Sequence, residues 1–444
     1  MNYTLPSYRL VLFLLILVLI GCESPDNLSA QAIPDVEDES ALIERARGIH
    51  ERVITLDTHV DFRPSNFTDA RNYTMDLPTQ VTLPKMEAGG LDVAWMVVYV
   101  GQGPLHEEGY AQAYQDAMDK FNAIHWLAGE KAPDRIEIAY TSDDVRRIAA
   151  SGKKVAMICL ENSYQVGLDL DNIKKFHDLG ARYMSLAHNG HNQFSDSHTG
   201  ERVGGWMHNG LSDLGRQAVA EMNKWGIMID ISHPSKAANM EVFELTRAPV
   251  MASHSSARAL SDVSRNLDDE QLMALKENGG VIQTVAFTGY VDIEKSNRYR
   301  AGQDSLRRAI ADEMGIELVA SRGALFRMSQ EEREAYNQRT APVEEAFEAQ
   351  KEELDVSPVD VADFVDHIDY LVEKIGIDHV GISSDFDGGG GIEGWDDASE
   401  TFNVTLELVR RGYTEEQIEK IWSGNLLRVL DEVQRIAKEI QAEG

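Results

Sequence analysis

Beyond residue 40 the chain alternates short, nearly continuous apolar runs with longer segments whose apolar residues recur at helical spacing. The runs predict eight strands, over 53–58, 91–99, 154–160, 182–187, 226–232, 249–253, 279–287 and 378–384. The second, Leu91-Asp92-Val93-Ala94-Trp95-Met96-Val97-Val98-Tyr99, is apolar on both faces, the pattern of a parallel strand covered on each side. Helix-like segments at 107–128, 141–151, 211–224, 235–246, 268–277 and 357–375 separate most of the runs. Eight strands alternating with helices predict an α/β fold, a closed (β/α)8 TIM-type barrel rather than a sandwich. No internal repeat is present.

Three stretches depart from a bare barrel. Residues 100–150, between the second and third predicted strands, hold room for a substantial helix and a smaller one. Residues 289–356, between the seventh and eighth, are too long for a simple crossover. They are charged and helical in pattern over 303–320 and 329–353, which predicts a helical insertion, either a lid or an oligomer contact. The end of the chain, 414–442, opens on Thr414-Glu415-Glu416-Gln417, a capping-box pattern, and carries Ile418, Ile421, Leu426, Leu427, Val429, Leu430, Val433 and Ile436 at helical spacing. It reads as one or two closing helices packed on the barrel.

The N-terminus has a different character. Arg9 precedes the apolar run Leu10 to Ile20, which is short for a spanning helix and reads as a signal-peptide core. Leu19-Ile20-Gly21-Cys22 resembles a bacterial lipobox, with cleavage before Cys22 and lipidation of its thiol. Residues 1–21 are thus expected as a lipoprotein signal peptide, 22–40 as a flexible tether and 41–444 as the barrel domain. Glu23 does not resemble an inner-membrane retention signal, so the expected location is the bacterial outer membrane, facing the periplasm. Cys159 is then the single cysteine of the mature domain, which excludes an intramolecular disulfide. It reads as a small core hydrophobe. Lys+Arg number 42 against Asp+Glu 74, a formal net charge of −32, and this acidity disfavours nucleic acid as a partner.

Chemistry gathers at the ends of the apolar runs. Val53-Ile54-Thr55-Leu56 leads to Asp57-Thr58-His59-Val60-Asp61, and Val155 to Leu160 ends at Glu161. Other runs end at His188, His233, His254 and Asp385. Reactive side chains at one end of several strands are how a β/α barrel builds an active site. His59 and Asp61, at i and i+2 of extended chain, face the same side and can converge on one cation. Glu161 has two oxygens with which to bridge two cations, and His233 and His254 suit the second. Carboxylates with imidazoles and no thiolate suit zinc best, with manganese or cobalt as other options. Two ions about 3.5–4 Å apart would generate a hydroxide and clamp substrate oxygens. Asp385 is the natural proton carrier. His188 either polarises a carbonyl or, with His191, His198 and His208 close behind it, belongs to a plain polar loop.

At these residues the chain resembles the membrane (renal) dipeptidase family of zinc peptidases, among the metal-dependent amidohydrolase barrels. The resemblance covers roughly residues 45–435. Besides the segments already quoted it rests on Gly180 to Asn189, Asp230-Ile231-Ser232-His233, Ala248 to Ala257, Ser264-Arg265-Asn266, Ser384-Asp385-Phe386-Asp387-Gly388 and Gly424 to Val429. It implies two zinc ions per subunit, His59 and Asp61 on one, His233 and His254 on the other, and Glu161 bridging. It further implies that His188 contacts substrate at the scissile bond, that Arg265 pairs with the substrate's terminal carboxylate, and that Asp385 is the acid/base. Arg265 rests on the resemblance alone. Two departures stand out: Asn162 follows Glu161 where animal members commonly have Gly, and the 289–356 insertion is long.

The expected function is a zinc-dependent dipeptidase that hydrolyses its peptide bond with a metal-bridged hydroxide. Its partners would be a small dipeptide, the membrane through a lipid anchor only, and a second copy in a homodimer. The rival readings are a hydrolase of another small amide or lactone on the same binuclear site, and a non-catalytic ligand-binding surface lipoprotein.

Overall fold

The computed structural model describes residues 38–319, 324–325 and 327–443. The expected signal peptide, Cys22 and nearly all of the tether lie outside the described residues. Helix Glu39–Arg52 starts where the tether was expected to end.

The expected barrel forms. Strands β1 (Leu56–Val60), β2 (Val93–Tyr99), β4 (Lys154–Glu161), β5 (Ala181–Ser185), β6 (Met228–Asp230), β7 (Met251–Ala252), β8 (Val281–Val285) and β9 (Val380–Ser383) pair in that order, every pair parallel. The ring draws together between its first and last members, where the Asp61 N–H donates to the Phe386 carbonyl at 2.9 Å. A ninth strand, β3 (Ile136–Ile138), was not predicted. It pairs with the first half of β4, beside Lys154 to Ala156, ahead of the point where β5 joins at Ile158.

Burial follows the two-residue period of each strand. On β2, Val93, Trp95 and Val97 belong to the inner layer, while Ala94, Met96 and Val98 join the outer layer beneath the helices. The C-terminal helix Asn425–Glu443 contributes Leu426, Leu427, Val429, Leu430, Val433 and Ile436 to the inner layer. It therefore closes one end of the barrel, as the apolar spacing predicts. Thr414 and Gln417 form the predicted capping box on the short helix before it. Cys159 is fully buried in the inner layer, a core position.

The insertion is a helical hairpin, Ile293–Met314 against Gln330–Gln350, with a small core of Ile310, Ala311, Val343 and Phe347. Its first helix begins ten residues earlier than the pattern suggests, because the Asp292 side chain caps it by accepting from the Lys295 N–H.

Candidate metal centre

His59 lies on β1 and Asp61 just past it. Glu161 ends β4, and His188, His233, His254 and Asp385 follow β5, β6, β7 and β9. All seven therefore project from the carboxyl-terminal ends of the barrel strands, and they meet around Glu161. Oε2 of Glu161 lies 3.6 Å from His59 Nε2, which is also 3.7 Å from Asp61 Oδ2 and 4.0 Å from Asp385 Oδ1. Oε1 faces the other way, 2.8 Å from His233 Nε2, 3.3 Å from His254 Nε2 and 3.9 Å from His188 Nε2. One carboxylate thus has a separate imidazole set on each of its oxygens.

The hydrogen bonds behind these rings indicate where their protons sit. The Tyr183 hydroxyl donates to the Thr58 carbonyl at 2.9 Å, so it accepts from His59 Nδ1 at 2.8 Å. The Ser253 hydroxyl donates to Asp230 at 2.7 Å and so accepts from His254 Nδ1 at 2.6 Å. Arg265 Nη2 donates to His233 Nε2 at 3.0 Å. These tautomers, assigned from the network, turn the Nε2 lone pairs of all three rings inward. His233 Nε2 and His254 Nε2 are 3.0 Å apart, with Glu161 Oε1 beside both. Glu161 Oε1 and His59 Nε2 are buried with no hydrogen-bond partner. A buried cluster of lone pairs and carboxylates is costly unless something positive fills it. The donor set, imidazole nitrogens and carboxylate oxygens on a shared bridge, fits divalent metal ions.

The electrostatics point the same way. Burial works against a charged His59, but Glu161, Asp385 and Asp61 outweigh it and push its pKa up to about 9. Burial likewise pushes Asp385 up to about 8, with Asp61 and Glu161 adding and His59 and Arg265 opposing. Burial would raise Glu161, yet His188, His59 and His233 hold it well below the usual carboxylate range. With no cation bound, protons on His59 and Asp385 perform the neutralisation. Above about pH 7.5, where the unfolded histidines are already neutral, the folded metal-free protein keeps the His59 proton and much of the Asp385 proton, whereas the unfolded chain has released both. Stability of the metal-free protein should therefore fall as pH rises through that window, by about 1.4 kcal/mol per pH unit for each proton, with His59 extending the fall towards pH 9. Urea unfolding of the chelated protein at pH 7.5 and 8.5 checks this; a flat or rising profile would contradict it.

Several supporting residues escaped the sequence reading. Buried Asp57 accepts from the N–H groups of His59 (3.3 Å) and Ser384 (2.9 Å) and from the Ser384 hydroxyl, tying the end of β1 to that of β9. Buried Asp230 accepts from the N–H groups of Ser232 (3.0 Å) and Ser253 (2.9 Å), tying β6 to β7. Both stand two or three residues before a histidine at the end of an apolar run, the one signal that marks them. Tyr183 has no signal of its own.

The Asn162 departure has a local reason. Asn162 sits at φ +67°, a left-handed conformation that Gly adopts freely and that Asn tolerates better than most other residues. Asp385 is also left-handed, at φ +59°. In the same turn a Cβ on Gly388 would lie 2.5 Å from both Asp385 Oδ1 and Asp61 Oδ2, so any larger residue would push those carboxylates out of place.

Arg265 is buried, with its guanidinium against the Ser232 carbonyl, Ser255 Oγ, His233 Nε2 and the His254 carbonyl. Its Nε has no partner. It lines a cavity of about 1150 Å³ together with Asp61, Glu161, His188, His233, His254 and Asp385. Among the described residues of the hairpin, none lines this cavity. His191 and His198 do not line it either. His191 pairs with Asp196, and His198 bonds Ser264 and Asn189.

Comparison with known proteins agrees with this construction. The profile described as membrane dipeptidase (peptidase family M19) matches residues 43–444. Dipeptidase aclJ of Aspergillus oryzae is 30% identical over 381 residues, 85% of this chain and 74% of that protein. Dipeptidase tcpJ of Claviceps purpurea is 32% identical over 369 residues, 82% of this chain and 72% of that protein. The crystal structure of the probable dipeptidase PvdM from Pseudomonas aeruginosa superposes with a TM-score of 0.71 at 32% identity, covering 89% of this chain and 99% of that one. With a barrel that gathers its ligand-type residues at one end and a family match over nearly all of the described chain, the protein belongs to the membrane dipeptidase family of metallopeptidases, M19.

Proposed function

We propose that the protein is a zinc-dependent dipeptidase with two zinc ions per chain. His59 and Asp61 hold one ion with Glu161 Oε2, and His233 and His254 hold the other with Glu161 Oε1. The observation that carries this reading is the two-sided Glu161, whose oxygens face separate imidazole sets. When bound, such a pair of ions supplies a nucleophilic water at neutral pH and draws charge from the scissile carbonyl.

The chain's own residues complete the reaction. Asp385, whose raised pKa lets it exchange a proton near neutral pH, would as the carboxylate take the proton of the attacking water and then pass it to the departing amine nitrogen. His188, held between the tilted rings of Tyr99 and His233 at centroid separations of 4.6 and 4.3 Å, donates to the carbonyl oxygen as negative charge develops on it. Arg265 turns its fork to the substrate's terminal carboxylate. Its nearness to His233 favours a substrate with a free carboxylate over a simple amide or lactone. Its bond to His233 Nε2 engages the lone pair that the second ion needs, so ligation there would free that contact of Nη2 for substrate while Ser232, Ser255 and His254 keep the guanidinium in place.

A panel of dipeptides, assayed on the purified protein before and after chelation, tests the reading. Turnover that chelation abolishes is expected, and tightly bound metal without turnover of any dipeptide would favour a binding role. Tyr183→Phe removes the hydroxyl that orients His59 and should weaken metal affinity about 10–100-fold. Chelator competition measures that, and unchanged affinity would count against His59 as a ligand. The proposal also places a lipid on Cys22, supported by the Leu19-Ile20-Gly21-Cys22 pattern. Cys22→Ser should then move the protein out of the membrane fraction, and retention there would refute the anchor.

A further inference from the structure

The cavity, at about 1150 Å³, exceeds the roughly 300–1,000 Å³ common for small-molecule sites, so it has room beyond the scissile bond. Its two sides differ. Arg265 stands on the side of β6 and β7, the fifth and sixth strands of the ring. Across the ring from them are β1 and β2, the first and second. If Arg265 takes the terminal carboxylate, the first residue of the substrate points towards β1 and β2.

That side carries a cation with no counter-ion. Lys120 reaches from the helix Glu107–Trp126 into the cavity wall, its ammonium 4.8 Å from the centre of the Phe62 ring and 5.8 Å from that of Tyr99. Its one hydrogen bond, to the Val97 carbonyl, is long at 3.4 Å. No carboxylate among the described residues forms an ion pair with it, in a chain of 74 acidic residues. Asp116 and Asp119 on the same helix are exposed and accept from Gln112 and Gln115 instead. Burial disfavours the charge on Lys120, and Asp61 and Glu161 support it from a distance. The same wall holds Tyr73, 3% exposed, whose hydroxyl is buried with no partner. Both residues thus line the cavity, the ammonium with only a long bond to a carbonyl and the hydroxyl with no partner.

We propose that Lys120 and Tyr73 form the subsite for the side chain of the substrate's first residue and that they select an acidic one. The preferred substrates are then dipeptides that begin with Asp or Glu. A carboxylate satisfies both donors, while its methylene stem packs on Phe62 and Tyr99. An apolar side chain leaves both donors unpaired, and a basic one meets a like charge. This inference rests on the dipeptidase reading and on the orientation set by Arg265.

The test compares Glu-Ala with Gln-Ala, which differ in charge but hardly in shape. Two readouts serve: kcat/KM on the metal-loaded protein, and the calorimetric affinity of reduced-amide analogues of the same two dipeptides. Both should favour the Glu compound by about tenfold or more in the wild type. The ratio should fall to within about twofold of one in Lys120→Met, survive in Lys120→Arg, and shrink by about threefold in Tyr73→Phe. Hydrolysis of both dipeptides by the wild type at equal kcat/KM would overturn the subsite and leave the dipeptidase reading standing. A Glu preference that persists in Lys120→Met would overturn it equally. Failure to hydrolyse any dipeptide would overturn the dipeptidase reading, and the subsite with it.

Discussion

Glu161→Gln should lower kcat/KM by about three orders of magnitude or more and reduce bound metal to one ion or fewer per chain. The substitution keeps the shape of the side chain but turns one oxygen into an NH₂ group. Whichever way the amide settles, that group meets a face built for a cation. On one side it points at the inward lone pairs of His233 and His254, and on the other at His59 and the Asp61 carboxylate. Each proposed ion shares Glu161, so one change weakens both. His233→Ala should be narrower in effect, abolishing activity while leaving about one ion. Elemental analysis beside the kinetics separates the two outcomes. Full activity with two ions in either variant would remove the binuclear assignment.

The second large effect is at Asp385. Asp385→Asn should lower kcat by about 10²–10⁴-fold while metal content stays near two. It should also remove the limb of the kcat–pH profile that this group sets. Geometry alone gives Asp385 two uses, since its Oδ1 is as able to join His59 and Asp61 on a cation as to carry a proton. Its left-handed backbone and its raised pKa favour the proton carrier, for they hold a protonatable carboxyl beside the reaction centre at some conformational cost. The measurement discriminates cleanly. Loss of an ion in Asp385→Asn would make the residue a ligand, and loss of turnover alone would make it the acid/base.

Much of the barrel could be read from the chain because parallel strands covered on both faces leave continuous apolar runs. All eight ring strands were found this way, although their bounds shifted: β1 begins at Leu56 rather than residue 53, which puts His59 on the strand instead of beyond it. Elements that bury little escaped. β3 is three residues with a charge in the middle, and helix Asp171–Asp178 buries only Ile173 and Phe176, too few to show a period. Helix Glu39–Arg52 buries only Ala46, Ile49 and His50.

The site was legible where a reactive side chain ends an apolar run, and the structure brings His59, Asp61, Glu161, His188, His233, His254 and Asp385 together. Arg265 ends no run. It sits in a loop eleven residues past His254, and only the family resemblance singled it out. The residues that orient the rings were hidden for a different reason. Tyr183 and Ser253 read as ordinary strand residues, and only the folded barrel carries their hydroxyls to His59 and His254. Lys120 was hidden as well, since a lysine on a helix is usually solvated, and only the packing on Phe62 and Tyr99 sets it apart.

The central claim is that two metal ions on a shared Glu161 make this chain a dipeptidase. Its most direct test measures metal per chain and dipeptide turnover on the same purified sample, before chelation, after chelation and after zinc is restored. Two ions per chain, with turnover lost on chelation and recovered with zinc, is the predicted result. Dipeptide turnover that persists after all metal has been removed would contradict the account.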